Sequence, residues 1–162
     1  MKKILSLVFM ALALVLPSCD DDATENDGLY TQKLQGTWQY SSSYDNVDSS
    51  VTLMLNANGD FTYTSSEVDN SNATMKMWTV PGAWNVQRGV LQLKYDVDLL
   101  RYSGLSDSEV AAVRTQLKNS NSILETSNKD GKTFGYGVSF ETINGKEVLY
   151  LSGMNGYFNK IN

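Results

Sequence analysis

The 162-residue chain has no histidine and only one cysteine, Cys19. Histidine is the usual general base near neutral pH and a usual zinc ligand, and its absence also rules out a Ser-His-Asp arrangement. A single cysteine cannot form an internal disulfide, so the stability of an exported domain has to come from a packed core. Proline occurs only twice. The one long apolar run, Ile4 to Leu16, broken by Ser6, is shorter than the roughly 20 residues a membrane-spanning helix needs. P-loop, dinucleotide-glycine and EF-hand spacings do not occur.

What that run does have is flanks. Met1-Lys2-Lys3 supplies a basic start and Pro17-Ser18 a small-residue stop, the layout of a cleaved secretory signal over residues 1–18. Leu16-Pro17-Ser18-Cys19 resembles a bacterial lipobox, in which the cysteine is acylated and becomes the first residue of the mature protein. Cys19 is therefore the expected lipidation site, and two or three acyl chains of the palmitate type would hold the protein to a membrane. The acidic stretch Asp20-Asp21-Asp22 that follows reads as a solvated, flexible tether over residues 19–28. It also resembles the surface-export signals of Bacteroidota-type lipoproteins, which implies the outer membrane and the cell surface as the location.

Cleavage before Cys19 leaves 144 residues with 11 basic and 18 acidic side chains, a net charge of −7. Such a balance repels phosphate backbones, so nucleic acid is excluded as a partner. The length suits one domain, residues 29–162.

Within that domain short alternating segments and turn signals dominate, the pattern of an all-β sandwich or barrel. Leu29 to Leu34 reads as one helical turn, and Trp38 and Tyr40 share a face of the first strand. Val51, Leu53 and Leu55 alternate with polar positions, and Asn56-Ala57-Asn58-Gly59 supplies a hairpin turn into Phe61 and Tyr63. Ser65 to Thr74 is polar and reads as a loop. The next strand region, Met75 to Gln87, contains Pro81-Gly82, where a bulge, bend or edge is expected because proline cannot donate to a central ladder. Val90 to Asp98 and Phe134 to Ile143 are further strands. Asn144-Gly145 is a strong hairpin signal, Val148 to Leu151 returns from it, and Tyr157 to Ile161 closes the set.

One segment follows helical spacing instead. Ser106-Asp107-Ser108-Glu109 matches a capping box, Val110, Val113 and Leu117 form a stripe, and Asn119-Ser120-Asn121 ends the run. About eight strands, tight turns and one mid-chain helix predict an antiparallel up-and-down barrel, since closure removes exposed edges.

At Leu34-Gln35-Gly36-Thr37-Trp38 the chain resembles the opening of lipocalins and of bacterial lipocalin-like lipoproteins. The hairpin Asn58-Gly59-Asp60-Phe61, Gly82-Ala83-Trp84 and Val90-Leu91-Gln92-Leu93 look like the same group. The resemblance runs from about Leu34 to Asn162. It implies a lipocalin-like barrel in which Trp38 packs across the closed end; the later arginine that often meets this tryptophan in lipocalins is absent near the final strand, where Lys160 is the only basic candidate.

Catalytic chemistry would have to rest on carboxylates. Asp96 and Asp98, two apart on an expected strand, share a face and mark a solvated strand end unless a cleft and a third acid accompany them. The chain is accordingly expected to be no enzyme and to need no cofactor or metal. The inward aromatics Tyr63, Trp84 and Tyr95, together with Trp78 beside the polar loop, are the candidate ligand-binding residues. The expected function is non-catalytic binding of a small apolar ligand or a glycan at a barrel mouth near Trp78 and the helix. The alternative is a filled barrel that docks another envelope protein. An open cavity at Tyr63, Trp84 and Tyr95 favours the first, and a filled interior with an exposed apolar patch the second.

Overall fold

Period-two alternation of apolar and polar residues puts one row of each strand inside and the other outside, and this pattern organises the whole domain. The computed structural model describes residues 23–130, 133–154 and 156–161; Cys19 and the expected signal segment lie outside these. The elements in order are α1 (Ala23–Leu34), β1 (Gly36–Tyr44), β2 (Val47–Leu55), β3 (Asp60–Asp69), β4 (Thr74–Gln87), β5 (Val90–Tyr95), a 3-10 turn (Val97–Leu99), β6 (Arg101–Ser103), α2 (Asp107–Asp130), β7 (Tyr136–Ile143), β8 (Lys146–Leu151) and β9 (Tyr157–Lys160).

Every strand pairing is antiparallel. β1, β2, β3, β4, β5, β7, β8 and β9 follow one another around a closed ring, and β6 is a short addition on the outer half of β4. The ring closes where Trp38 and Gln39 of β1 meet Lys160 and Asn159 of β9. The fold is an all-β, up-and-down barrel of eight strands, as expected, with α2 in mid-chain. Trp38, Leu53, Phe61, Tyr63, Leu93 and Phe158 are among the side chains filling its interior.

Helix α1 closes the end at which β1 begins. Its start at Ala23 corrects the expectation of a tether through residue 28 and of a single turn from Leu29. The cause is Asp27, whose carboxylate accepts the backbone N–H groups of Arg88 and Gly89, both at 2.8 Å, in the β4–β5 turn. Tyr30 stacks on Phe140 at 6.2 Å, and Lys33 pairs with Glu147 at 3.0 Å. Trp38 is fully buried behind the helix, and its indole N–H donates to the Leu34 carbonyl at 2.7 Å. Lys160 Nζ lies 5.1 Å from the centre of the Trp38 ring, a cation–π contact.

β4 runs without a break through Pro81. Its neighbour changes there, from β6, which pairs up to Thr79, to β5, which pairs from Gly82 onward. The missing N–H of Pro81 therefore falls at a local edge, while its carbonyl accepts from Asp96 N–H at 2.9 Å. Gly82 has no room for a Cβ against Phe61 and the Lys94 carbonyl. The stretch 65–69, expected as loop, belongs to β3 and is fully paired with β4. A long hairpin can carry polar residues beyond the core because the ladder satisfies the backbone.

β5 and β7 pair at only two positions, Val90 with Gly137 and Leu91 with Tyr136. Beyond them the edge of β5 would be bare, and α2 packs over it instead. The Asn121 side chain substitutes for a strand, accepting from Tyr95 N–H at 2.9 Å and donating to the Tyr95 carbonyl at 2.6 Å. Asn121 therefore does not end the helix, as expected from sequence. The hydroxyls of Ser120, Ser122 and Thr126 bond carbonyls four residues back, and α2 continues to Asp130. The Ser106–Glu109 capping box forms as read.

Replacing Asn121 with alanine leaves both backbone groups of Tyr95 without their partner, and a destabilisation of about 2–3 kcal/mol is expected. Urea unfolding should show a lower midpoint with an unchanged slope. A midpoint equal to that of Asn119→Ala, on the exposed side of α2, would remove the strand-substitute role.

Candidate functional site

Inside the barrel, three of the four sequence-derived site residues, Tyr63, Trp78 and Tyr95, are packed together. Relative exposure is 1% for Tyr63, 6% for Trp78, 6% for Trp84 and 5% for Tyr95. Tyr63 stacks on Trp78 with ring centres 5.1 Å apart and meets Tyr95 edge-on at 6.3 Å, while Phe61 meets Tyr95 at 5.3 Å. Such geometries suit the aromatic quadrupole. Trp84 stands apart from this stack, with its N–H on the Asn56 carbonyl at 2.9 Å near the β2–β3 turn.

Tyr136 of β7 is buried in the same core cluster as Tyr95. Burial, reinforced by neighbouring phenols, pushes Tyr63 and Tyr95 well above 10, and burial raises Tyr136 as well. Among the described residues, Trp78 Nε1 is the one buried side-chain polar atom without a partner. The space left beside the phenols is a crevice of about 30 Å3 between the barrel and α2, bordered by Leu93, Tyr95, Tyr136 and Ile123. That is room for about one water molecule.

At the end opposite α1, charge ties the helix to the sheet. Lys76 on β4 donates to Glu109 of the capping box at 2.7 Å. The Lys76 hydrogen bond, with those from Ser106, holds the Glu109 carboxyl down at about 2. Glu67, opposite Lys76 on β3, is shifted the other way, chiefly by partial burial.

The acids considered for catalysis do not share a strand face, because β5 ends at Tyr95 and Asp98 lies in the 3-10 turn. Both Asp96 and Asp98 are exposed. No group of three or more metal-ligating side chains occurs among the described residues.

The roomier concavity is on the outside of the barrel. A trough of about 360 Å3 on β1, β2 and β3 is bordered by Ser41, Ser43, Asp48, Ser50, Ser66 and Val68. Ser50 and Ser66 join hydroxyls across it at 2.8 Å, and Asn70 donates to Asp48 at 2.8 Å. Around the wall, Tyr150 and Tyr157 form an outward pair with ring centres 5.6 Å apart. They are 36% and 41% exposed, and the Glu141 carboxylate nearby raises Tyr157 above its ordinary value. Sequence reasoning had looked for a site at inward aromatics and missed this face. The signals available were the hydroxyl-rich runs 41–43 and 49–50, and Tyr150 alternating with Leu149 and Leu151.

No protein-family model matches this chain, and no curated protein matches it in sequence. The chemistry of the molecule is therefore argued from its own residues.

Two measurements follow from the interior and the helix latch. In the unfolded chain the phenols ionise near 10, so the stability linked to Tyr63, Tyr95 and Tyr136 is whole below that pH and is lost as pH rises towards their raised folded values. Alkaline titration followed by ultraviolet absorbance should show three of the nine tyrosines ionising only as the near-ultraviolet circular dichroism collapses. Ionisation of all nine with the fold intact would mean that water reaches the interior. Glu109 has the opposite sign. Its depressed value means a contribution present above its ordinary 4.5 and lost as pH falls from there through about 2. Glu109→Gln should be less stable than the parent at neutral pH, with the gap closing across that window, and parallel pH profiles would count against the latch.

Proposed function

We propose that this protein is a lipid-anchored lipoprotein of the cell envelope whose barrel is a non-catalytic interaction module working from its outer surface. In this reading residues 1–18 are removed, Cys19 carries the acyl chains, and the protein sits on the outer membrane, facing the cell surface. Its barrel is lipocalin-like in kind but carries no cargo.

The observation that carries this reading is the filling of the interior. Tyr63, Trp84 and Tyr95, the residues expected to line an open cavity, are all buried, and Tyr63 packs directly against Tyr95 and against Trp78. Eight-stranded barrels have an interior just wide enough for their own side chains or one small ligand, and here aromatic rings occupy it. The absence of histidine from the sequence and the exposed, separate positions of Asp96 and Asp98 favour a role without catalysis. Met75, Leu99 and Tyr102 are each at least half exposed, and exposed apolar side chains of this kind suit contact with a protein partner.

A second reading, an interior guest, draws on one observation. Trp78 Nε1 is buried without an acceptor, and a small polar ligand could supply one.

Native mass spectrometry of the full-length protein purified from its own cells, before and after extraction with organic solvent, separates the two readings. The expected mass is that of the chain from Cys19 with its acyl groups, unchanged by extraction, and Cys19→Ser should lack the acyl mass and leave the membrane fraction. An additional mass removed by solvent would overturn the filled-barrel reading.

A further inference from the structure

The pairing of the strands brings together, on the outer wall, residues far apart in sequence. Tyr150 of β8 stands opposite Tyr157 of β9. Continuing the β1–β9 register by two residues sets Tyr157 opposite Ser41, and the two strands are still in contact there, since Gly156 leaves no room for a Cβ against the Tyr40 ring. Ser41 is paired with Ser50, and Ser50 with Ser66. The outward side chains of one row thus read tyrosine, tyrosine, serine, serine, serine across five strands. With strands about 4.8 Å apart, the row is about 19 Å long.

The adjacent row has a related composition. Glu141 lies beyond Val148, which is paired with Asn159; Asn159 is paired with Gln39, Gln39 with Thr52 and Thr52 with Thr64. From β8 to β3 neither row contains a lysine or arginine. A carboxylate stands near each margin, Glu141 beside the tyrosines and Asp48 at the far side of the trough. The solvent-facing rows of an antiparallel sheet are ordinarily polar, with charged side chains common among them. This face carries hydroxyls and amides instead.

We propose that this strip of barrel wall is a binding site for a neutral carbohydrate chain. The inference rests on the reading that the domain works from its outer surface. The apolar faces of sugar rings stack on Tyr150 and Tyr157, which offer rigid, amphipathic area at small entropic cost. The sugar hydroxyls, each both donor and acceptor, are met by serine and threonine hydroxyls, by the amides of Gln39 and Asn159, and by the two carboxylates, which accept strong O–H bonds. An anionic polymer is disfavoured by those same carboxylates and by the lack of any cation on the strip. A protein partner is disfavoured because a standard interface needs about 800 Å2 per side around an apolar centre, and the two tyrosines are the strip's only large exposed apolar groups.

The test is native affinity electrophoresis of the full-length protein in detergent, in gels containing glycogen, xyloglucan or galactomannan, with polygalacturonate and heparin as anionic counterparts. Retardation by at least one neutral polysaccharide and by neither anionic one is expected. The double substitution Tyr150→Ala and Tyr157→Ala should weaken that retardation by about tenfold or more in Kd, a difference readily resolved. Tyr157→Phe, which keeps the ring, should stay close to the parent, as should Tyr102→Ala on β6. If the double variant loses its near-ultraviolet circular dichroism, Ser50→Glu takes its place; it fills the trough without touching the tyrosines and should abolish retardation.

No retardation by any neutral polysaccharide, retardation only by the anionic ones, or equal retardation of parent and variants would each overturn the site. A bare, solvent-insensitive native mass together with no retardation would sink this inference alone and leave the filled-barrel reading standing. A solvent-extractable mass would sink that reading instead.

Discussion

A ring of eight strands fixes how much room there is inside, and the rest of the molecule is arranged around that limit. Large aromatic side chains use the space up. Tyr63, Trp78 and Tyr95 stack in the middle, and Trp38 seals one end beneath Lys160 and α1. The indoles of Trp38 and Trp84 find backbone carbonyls, while that of Trp78 is buried without an acceptor. Once the interior is committed to packing, recognition has to take place on the wall or at the rims.

The ring is weakest where the chain leaves it to form α2. The two-residue contact between β5 and β7 would expose a sheet edge, and the molecule covers it with a helix rather than a longer strand. The amide of Asn121 reproduces on Tyr95 the donor and acceptor of a neighbouring strand. Gly135 lies so close to the Leu91 carbonyl that no side chain would fit, which lets the chain re-enter the sheet there. The Lys76–Glu109 bond fastens the other end of the same helix.

Much of this was legible in the sequence, because strand alternation, Asn-Gly turns and the Ser106–Glu109 capping box are local signals. What was not legible depends on contacts between distant segments. The start of α1 depends on Asp27 reaching a turn 61 and 62 residues away. The length of α2 depends on Asn121 directing its amide to β5 instead of to its own backbone. Pro81 sits in an unbroken strand because the neighbouring strand changes beside it. Asp96 and Asp98 looked like a strand pair because alternation in Val90 to Asp98 gives no hint that the ladder stops at Tyr95. The outer rows are set by inter-strand register, which no local pattern encodes.

The clamp of Asp27 on the β4–β5 turn bears on posture. Only three residues separate Cys19 from the first residue of α1, and the four steps of chain between them reach about 14 Å at full extension. In the proposed lipid-anchored reading, acyl chains on Cys19 would be held within that distance of α1, which covers the sealed end of the barrel. The hairpin tips at residues 45–46 and 70–73 then point away from the membrane. The flanks of the barrel face sideways, open to molecules that lie along the surface.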